Sequence, residues 1–165
     1  MINIRGAKVC DSNQISDVSI NTWKEAYIGL IDKSYLDSLV VSEQVIEKWK
    51  NRILATKSED TFIFVATEQD QVVGFIWGGR ARETKIENVE FEIYALYVLP
   101  KFQCRGIGKK LVDNFKTKIN GNFFVWVLLG NRSEHFYLKQ KFKKTKFINQ
   151  LTIGNKKYRE IAYLF

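Results

Sequence analysis

The chain has 165 residues, of which 45% are hydrophobic and 14% aromatic, so we expect one domain over residues 1–165 that buries about 70% of its unfolded surface. The net charge of +8 is uneven, because residues 1–100 hold 11 basic and 15 acidic side chains, whereas residues 101–165 hold 15 and three. No apolar run approaches 18 residues, which predicts no membrane span, and the two cysteines fit neither a disulfide framework nor a zinc site.

The first part of the chain shows one strand pattern followed by helical patterns. Residues 2–7 alternate apolar and polar side chains, as in a strand. A helix is predicted from a cap at Asp11 or Ser12 to Gly29, followed by a short helix at residues 34–39. Ser42 is expected to cap a third helix, whose apolar positions repeat at helical spacing.

The rest of the chain alternates between strand and helix patterns. Strands are predicted at residues 62–66, 72–79, 89–98, 123–129, 147–153 and 158–165, and helices at residues 107–119 and 133–140. Residues 81–88 are charged and are predicted to form a loop. This order predicts an α/β or α+β fold, with a mixed sheet and helices on both faces.

Two glycines stand between a predicted strand and a predicted helix. The strand ends at Pro100, the glycines are Gly106 and Gly108, and the helix continues through Leu111 and Phe115. A strand, a glycine-containing loop and a helix N-terminus point several backbone N–H groups at one spot, where a phosphate is stabilised. A Gly-x-Gly pair alone is a weak signal, and a tight turn explains it equally well.

The same segment resembles a known cofactor signature. Gln103-x-x-Gly106-x-Gly108, directly after Leu96-Tyr97-Val98-Leu99-Pro100, is similar to the acetyl-CoA-binding motif of the GCN5-related N-acetyltransferase (GNAT) superfamily. The resemblance implies a mostly antiparallel central sheet of about seven strands with helices on both faces. It also implies acetyl-CoA as cosubstrate, without a metal. The cofactor-binding residues implied here are Leu96, Tyr97, Val98, Gln103, Cys104, Arg105, Gly106, Ile107, Gly108 and Lys109.

Acetyl transfer to an amine needs a group that accepts the proton of the ammonium, and Glu92 is our candidate. Glu92 lies eleven residues before Gln103, which is similar to the position of the glutamate base in several GNAT members. Strand alternation is expected to place Glu92, Tyr94, Leu96 and Val98 on one face. Glu90 is the alternative base, and both glutamates are also compatible with an ordinary polar strand end.

A second cluster follows the apolar run at residues 123–129. The segment Phe136 to Phe142 resembles the Phe-Tyr-x-x-x-Gly-Phe box of the superfamily, although Lys141 replaces the glycine. By that resemblance, Asn131 contacts the pantetheine arm and Tyr137 is the general acid for the departing thiolate. Core packing is the alternative role for Tyr137.

Trp23 and Tyr27 belong to a segment similar to the Trp-x-x-x-Tyr-x-Gly element that forms the acceptor side in many relatives. Together with the acidic first half of the chain, they suggest a cationic amine acceptor. Core packing explains the same aromatic residues equally well.

The sequence therefore predicts an acetyl-CoA-dependent N-acetyltransferase that transfers an acetyl group directly to a primary amine of a small molecule or peptide. The alternative from another class is a non-catalytic acyl-CoA-binding module on the same fold. We expect no nucleic-acid partner, because the basic half lacks a recognised motif or an aromatic stacking platform. A cytoplasmic location without membrane association is the simplest expectation, and a homodimer would be common in the family.

Overall fold

The computed structural model describes residues 1–57, 60–82 and 86–165, which form one central sheet and five α-helices. The strands are β1 (Asn3–Gly6), β2 (Thr61–Glu68), β3 (Gln71–Arg80), β4 (Phe91–Val98), β5 (Phe123–Leu128), β6 (Lys143–Ile153) and β7 (Lys156–Leu164). The helices are α1 (Ser12–Ala26), α2 (Lys33–Ser38), α3 (Glu43–Ala55), α4 (Ile107–Lys116) and α5 (Ser133–Lys139). Within these residues, every helix is too short or too polar to cross a bilayer.

The seven strands lie in the order β1-β2-β3-β4-β5-β7-β6. All neighbouring strands are antiparallel except β4 and β5, which are parallel. The predicted mixed, mostly antiparallel sheet of about seven strands is therefore confirmed. The parallel pair lies at the centre of the sheet, and the crossover between its strands contains α4.

Helices cover both faces of the sheet, as predicted. On one face, Ile15 of α1 and Trp49 of α3 pack on Phe75 of β3. On the other face, Leu111 and Phe115 of α4 are fully buried in the larger cluster. Burying a large apolar side chain contributes about 1.5–3 kcal/mol, so these apolar stripes hold the helices in place.

The prediction for β6 was wrong at its start. The strand was expected from residue 147, but it begins at Lys143 and includes an irregularity in register between Lys144 and Ile148. Its first residues are mostly lysines, which are uncommon in strand interiors but typical of an edge strand such as β6. Of the loop predicted at residues 81–88, residues 83–85 lie outside the described part of the chain.

Candidate functional site

A gap opens between the two central strands. β4 and β5 pair over three positions, and the last pair is Ile93–Val125. Beyond that pair, β4 follows β3 to Val98 while β5 follows β7 to Leu128. The edge of β4 beyond Ile93 therefore presents backbone groups to the gap, where an extended ligand can bind them. Leu96, Tyr97 and Val98 lie along this edge.

The glycine loop follows at the end of β4 and leads into α4. Cys104 and Gly106 adopt left-handed conformations with φ of 59° and 75°, and Gly106 is the N-cap residue of α4. The first N–H groups of α4 receive no side-chain cap from the described residues, which leaves them available to an anion. The Gln103 side chain donates a 3.0 Å hydrogen bond to the Val98 carbonyl and thereby ties the loop to β4.

Basic side chains adjoin this helix N-terminus. Arg105 donates to Glu68 at 2.7 Å and lies over the ring of Phe102, and Lys109 pairs with Asp113 one turn along α4. All four of these charged side chains keep solvent contact. A diphosphate carries two negative charges, and uncapped N–H groups with nearby cations are suited to bind such an anion.

The two glycines of the motif have different physical roles. A Cβ at Gly106 would meet no atom within 4 Å, so a side chain there would not clash. The positive φ of Gly106 would nevertheless strain the backbone of any other residue at this position. A Cβ at Gly108 would lie 3.0 Å from the ring of Phe136. Gly108 therefore allows α4 to approach α5, and Ile107 beside it is buried in the core.

A pocket of about 470 Å³ opens on the face of the sheet that carries α1. Its walls come from α1, β4, β5 and the β6–β7 hairpin, and most of its lining side chains are aromatic, apolar or acidic. They are Trp23, Tyr27, Arg82, Glu92, Ile93, Tyr94, Tyr97, Trp126, Leu128, Asn149, Leu151, Ile153 and Glu160. All three residues expected to contact the acceptor, Trp23, Tyr27 and Glu92, thus lie around one pocket.

The aromatic wall of the pocket is fixed by direct contacts. The Trp23 indole N–H donates a 2.7 Å hydrogen bond to the Tyr97 hydroxyl, and the rings of Trp23 and Tyr27 lie 4.7 Å apart. Burial raises the pKa of Tyr27 well above its usual range, and the neighbouring Tyr97 adds to this shift. Tyr97 therefore contributes its backbone to the gap and its side chain to the pocket.

The expected alternation along β4 was wrong at one point. The partners of β4 on β3 shift from Trp77–Ala95 to Gly78–Ile93, so Tyr94 is an extra residue in the strand. This bulge reverses the alternation, and Leu96 and Val98 pack in the cluster on the α4 face. Glu92 lies instead on the pocket face, on the opposite side of the sheet from those two residues.

Glu92 is 2% exposed and is held by Arg82. The Arg82 guanidinium lies 2.5 Å from Glu92 Oε1, and the Arg82 backbone N–H donates to Oε2 at 3.1 Å. Glu90, the alternative base, precedes β4 and points outward, where it pairs with Arg80. Among the two glutamates, the pocket is lined by Glu92 and not by Glu90.

Tyr137 and Asn131 lie on the other side of the gap. Tyr137 is buried in the α4-side cluster, where its ring packs against Phe142, and burial raises the pKa of its hydroxyl, with a smaller contribution from Tyr97. Asn131 is buried, and its side-chain oxygen accepts a 2.8 Å hydrogen bond from the Ser133 N–H at the start of α5. Asn131 therefore orients the helix that carries Tyr137.

Sequence reasoning missed most of the other pocket residues, among them Arg82, Trp126, Asn149 and Glu160. Glu160 lies opposite Leu128 on β5 and opposite Asn149 on β6, and the Asn149 amide donates to it at 2.9 Å. Glu160 directly before the apolar end of β7 was the available signal, but its pairing partners depend on strand order. No group of three or more potential metal-ligating side chains occurs in residues 1–57, 60–82 and 86–165.

Comparisons with known proteins agree with this geometry. Residues 59–144 match the acetyltransferase (GNAT) domain. The chain is 33% identical over 142 residues to the uncharacterized N-acetyltransferase YuaI of Bacillus subtilis strain 168, which corresponds to 83% of this chain and 78% of that protein. It is 29% identical over 112 residues to spermidine N(1)-acetyltransferase of Thermoplasma acidophilum, or 67% of this chain and 66% of that protein.

Solved structures show the same fold. PaiA N-acetyltransferase from Thermoplasma acidophilum, in complex with coenzyme A, superposes with a TM-score of 0.77 at 25% identity, over 99% of this chain and 98% of that chain. The N-acetyltransferase from Staphylococcus aureus Mu50 superposes with a TM-score of 0.72 at 19% identity, over 100% of this chain and 98% of that chain.

Proposed function

The chain belongs to the GNAT acetyltransferase family, and from this premise we propose that it acetylates a primary amine of a small aliphatic polycation, in a ternary complex with acetyl-CoA. The observation that carries the proposal is the aromatic pocket beside the β4–β5 gap, with the buried carboxylate of Glu92 in its wall. Family membership supports the reaction and the cosubstrate, and the lining of the pocket supports the class of acceptor.

The lining of the pocket suits an aliphatic ammonium. Trp23, Tyr94 and Trp126 line the wall, and aromatic rings of this kind attract a cation and also pack against methylene groups. Glu92 and Glu160 offer carboxylates at two places in the wall. The spermidine acetyltransferase among the relatives supports a polyamine, because its named substrate has this combination of charge and methylene groups.

The glycine loop and the edge of β4 are the proposed cofactor site. The backbone of Leu96, Tyr97 and Val98 would bind the pantetheine arm, and the loop from Gln103 to Lys109 would bind the diphosphate. Asn131, whose side chain accepts a hydrogen bond from the Ser133 N–H at the start of α5, is the further proposed contact of the arm. Acetyl-CoA supplies an activated thioester carbonyl, and N–H donors on a strand edge stabilise negative charge on such an oxygen.

Glu92 and Tyr137 are the proposed proton-transfer groups. An aliphatic amine has a pKa near 10.4 and is mostly protonated at neutral pH, so it must lose a proton before it attacks. Glu92 would attract the ammonium into the pocket and accept that proton, directly or through water. Tyr137 remains protonated because its pKa is raised by burial, so its hydroxyl can donate a hydrogen bond to the departing thiolate.

The two other candidate functions are less well supported. A non-catalytic acyl-CoA-binding module would not need an acceptor pocket, and the curated relatives are named as acetyltransferases. Nucleic-acid binding predicts a salt-sensitive complex with an oligonucleotide, and no such complex is expected at low salt.

A thiol-release assay tests the proposed function. The purified protein is mixed with acetyl-CoA and, separately, spermidine, n-butylamine, glycine and an aminoglycoside. We expect the highest kcat/KM with spermidine, a lower value with n-butylamine and no turnover of glycine, because the glycine carboxylate would meet Glu92 and Glu160. Equal turnover of all four amines, or turnover of glycine alone, would overturn the proposed acceptor class.

A thermal melt in acetyl-CoA separates a failed acceptor from a failed cofactor site. At 100 times its Kd, a ligand of the folded state adds about 2.7 kcal/mol of stability, or about 5–11 °C in Tm for a chain of this size. A folded protein whose Tm does not change with acetyl-CoA would contradict the cofactor site.

A further inference from the structure

The carboxylate of Glu92 is already paired with a cation that belongs to the protein. Arg82 lies two residues after the end of β3 in the wall of the pocket, and its guanidinium contacts both Glu92 oxygens, at 2.5 Å to Oε1 and 3.3 Å to Oε2. In this arrangement, the oxygens that would receive an acceptor ammonium are occupied. A cationic acceptor and Arg82 therefore compete for the same carboxylate.

The two partners of this ion pair differ sharply in exposure. The Glu92 side chain is 2% exposed, whereas the Arg82 side chain is 56% exposed. A half-exposed guanidinium regains its hydration when it moves into solvent, but a buried carboxylate without a cation has no such compensation. Arg82 can therefore leave at low cost, provided that another cation replaces it at Glu92.

From this asymmetry we propose that Arg82 is a specificity-determining residue that occupies the ammonium subsite until a cationic acceptor displaces it. The inference rests on the proposed function, since it concerns the amine that binds beside Glu92. An incoming primary ammonium exchanges with the guanidinium, so the charge next to Glu92 stays constant. A neutral or anionic group cannot make this exchange, and the pocket therefore rejects it.

Aromatic rings and a second arginine surround the Arg82 guanidinium. Its guanidinium lies over the ring of Tyr94 at 4.6 Å, and Tyr94 packs on Trp77. The guanidinium of Arg52 lies over the same Trp77 ring, at 4.3 Å. Burial and, to a smaller extent, the charge of Arg82 lower the pKa of Arg52. Burial also lowers the pKa of Arg82, but the hydrogen bond and the charge of Glu92 outweigh it, and the net pKa of Arg82 is raised. Arg82 therefore stays on Glu92 until another cation takes its place.

The exchange has a measurable cost. The apparent affinity for the amine is reduced by the fraction of protein in which Arg82 covers Glu92. If Arg82 covers the carboxylate in about 70–90% of molecules, its removal lowers the KM for spermidine by about three- to tenfold. The KM for acetyl-CoA does not change, because the glycine loop lies at the other end of β4.

The test compares Arg82→Gln with the wild type in steady-state kinetics and in thermal melts. For Arg82→Gln we expect the lower KM for spermidine given above and a larger rise in Tm on adding spermidine in the presence of CoA. Arg82→Lys keeps a cation but loses the planar, two-point contact, so its KM should fall between the other two. Arg80→Gln is the matched control, because Arg80 pairs with Asp60 and Glu90 outside the pocket.

Two outcomes would overturn the inference. A higher KM for spermidine in Arg82→Gln would mean that Arg82 contacts the acceptor, and a lower kcat at unchanged KM would mean that it merely orients Glu92. If Arg82→Gln fails to fold, Arg82→Lys alone decides the question. A KM for spermidine in Arg82→Lys at or above that of the wild type would then contradict the inference. Absence of amine turnover in the wild type would instead contradict the proposed function.

Discussion

The ring of Phe136 lies 3.0 Å from the place where a Cβ on Gly108 would stand. Gly108 is in the first turn of α4, and Phe136 is on α5 beside Tyr137. The second glycine of the motif thus sets the distance between the helix that faces the proposed diphosphate site and the helix that carries the proposed acid. Changes at this contact should affect both cofactor binding and turnover.

Replacing Gly108 with alanine should destabilise the protein. The methyl group would press on the Phe136 ring, and overpacking of this kind costs about 1–3 kcal/mol, which corresponds to about 2–12 °C in Tm. We also expect weaker acetyl-CoA binding in isothermal titration, because α5 must shift. Unchanged Tm and affinity would mean that Phe136 rotates away freely.

Gly106→Glu tests the proposed diphosphate site by charge. A Cβ at Gly106, the N-cap residue of α4, would meet no protein atom within 4 Å, so there is room for a longer side chain to begin there. A carboxylate there should repel the diphosphate and raise the Kd of acetyl-CoA at least tenfold, or about 1.4 kcal/mol. Gly106→Ala is the control for backbone strain, since it introduces the same positive-φ penalty of about 1–2 kcal/mol without the charge. Equal affinities of the two variants for acetyl-CoA would mean that the loop does not bind the diphosphate.

The fold was largely predictable because its elements carry local signals. The apolar spacing of Ile107, Leu111 and Phe115 predicted α4, and these residues are buried as that spacing requires. The face of Glu92 was not predictable, because it depends on one extra residue, Tyr94, whose bulge exists only when β4 pairs with β3. The pairing of Glu92 with Arg82 depends on the same register and left no pattern in the sequence.

Glu92→Gln and Glu90→Gln distinguish the two candidate bases. Glutamine at position 92 keeps the shape of the side chain but loses the charge that attracts the ammonium and accepts its proton. We expect kcat/KM for the amine to fall by about 10²–10⁴-fold, at an unchanged Kd for acetyl-CoA. Glu90 is outward-facing and paired with Arg80, so Glu90→Gln should keep wild-type kinetics. The reverse pattern would assign the base to Glu90.

Asp11 should make the free energy of unfolding depend on pH. Burial raises the pKa of Asp11, but hydrogen bonds from Arg5 and the Lys8 backbone N–H outweigh it, so the net pKa lies below its usual value. A depressed pKa contributes stability that is present above the unfolded pKa of about 3.9 and is lost as the pH falls through the folded pKa. We therefore expect Asp11→Asn to cost about 1–3 kcal/mol in urea unfolding at pH 7, with this difference shrinking below pH 4.

The control for Asp11 is Asp37→Asn. Asp37 forms an exposed pair with Lys33 one turn away on α2, and such pairs contribute about 0–1 kcal/mol. A cost for Asp11→Asn that stays constant from pH 7 to pH 3 would mean that side-chain packing, rather than the ion pair, accounts for the loss.

Tyr137→Phe tests the proposed acid. The substitution removes one oxygen and keeps the ring that packs between Phe136 and Phe142, so folding and the Kd of acetyl-CoA should change little. We expect kcat to fall by about 10²–10⁴-fold, because the departing thiolate loses its donor. Burial raises the pKa of Tyr137, so the wild-type hydroxyl stays protonated and should cause no loss of kcat between pH 7 and pH 10.

Tyr35→Phe, on α2 against Gly154, is the matched control and should behave as the wild type. A wild-type kcat in Tyr137→Phe would mean that this residue is a packing aromatic and that water protonates the thiolate.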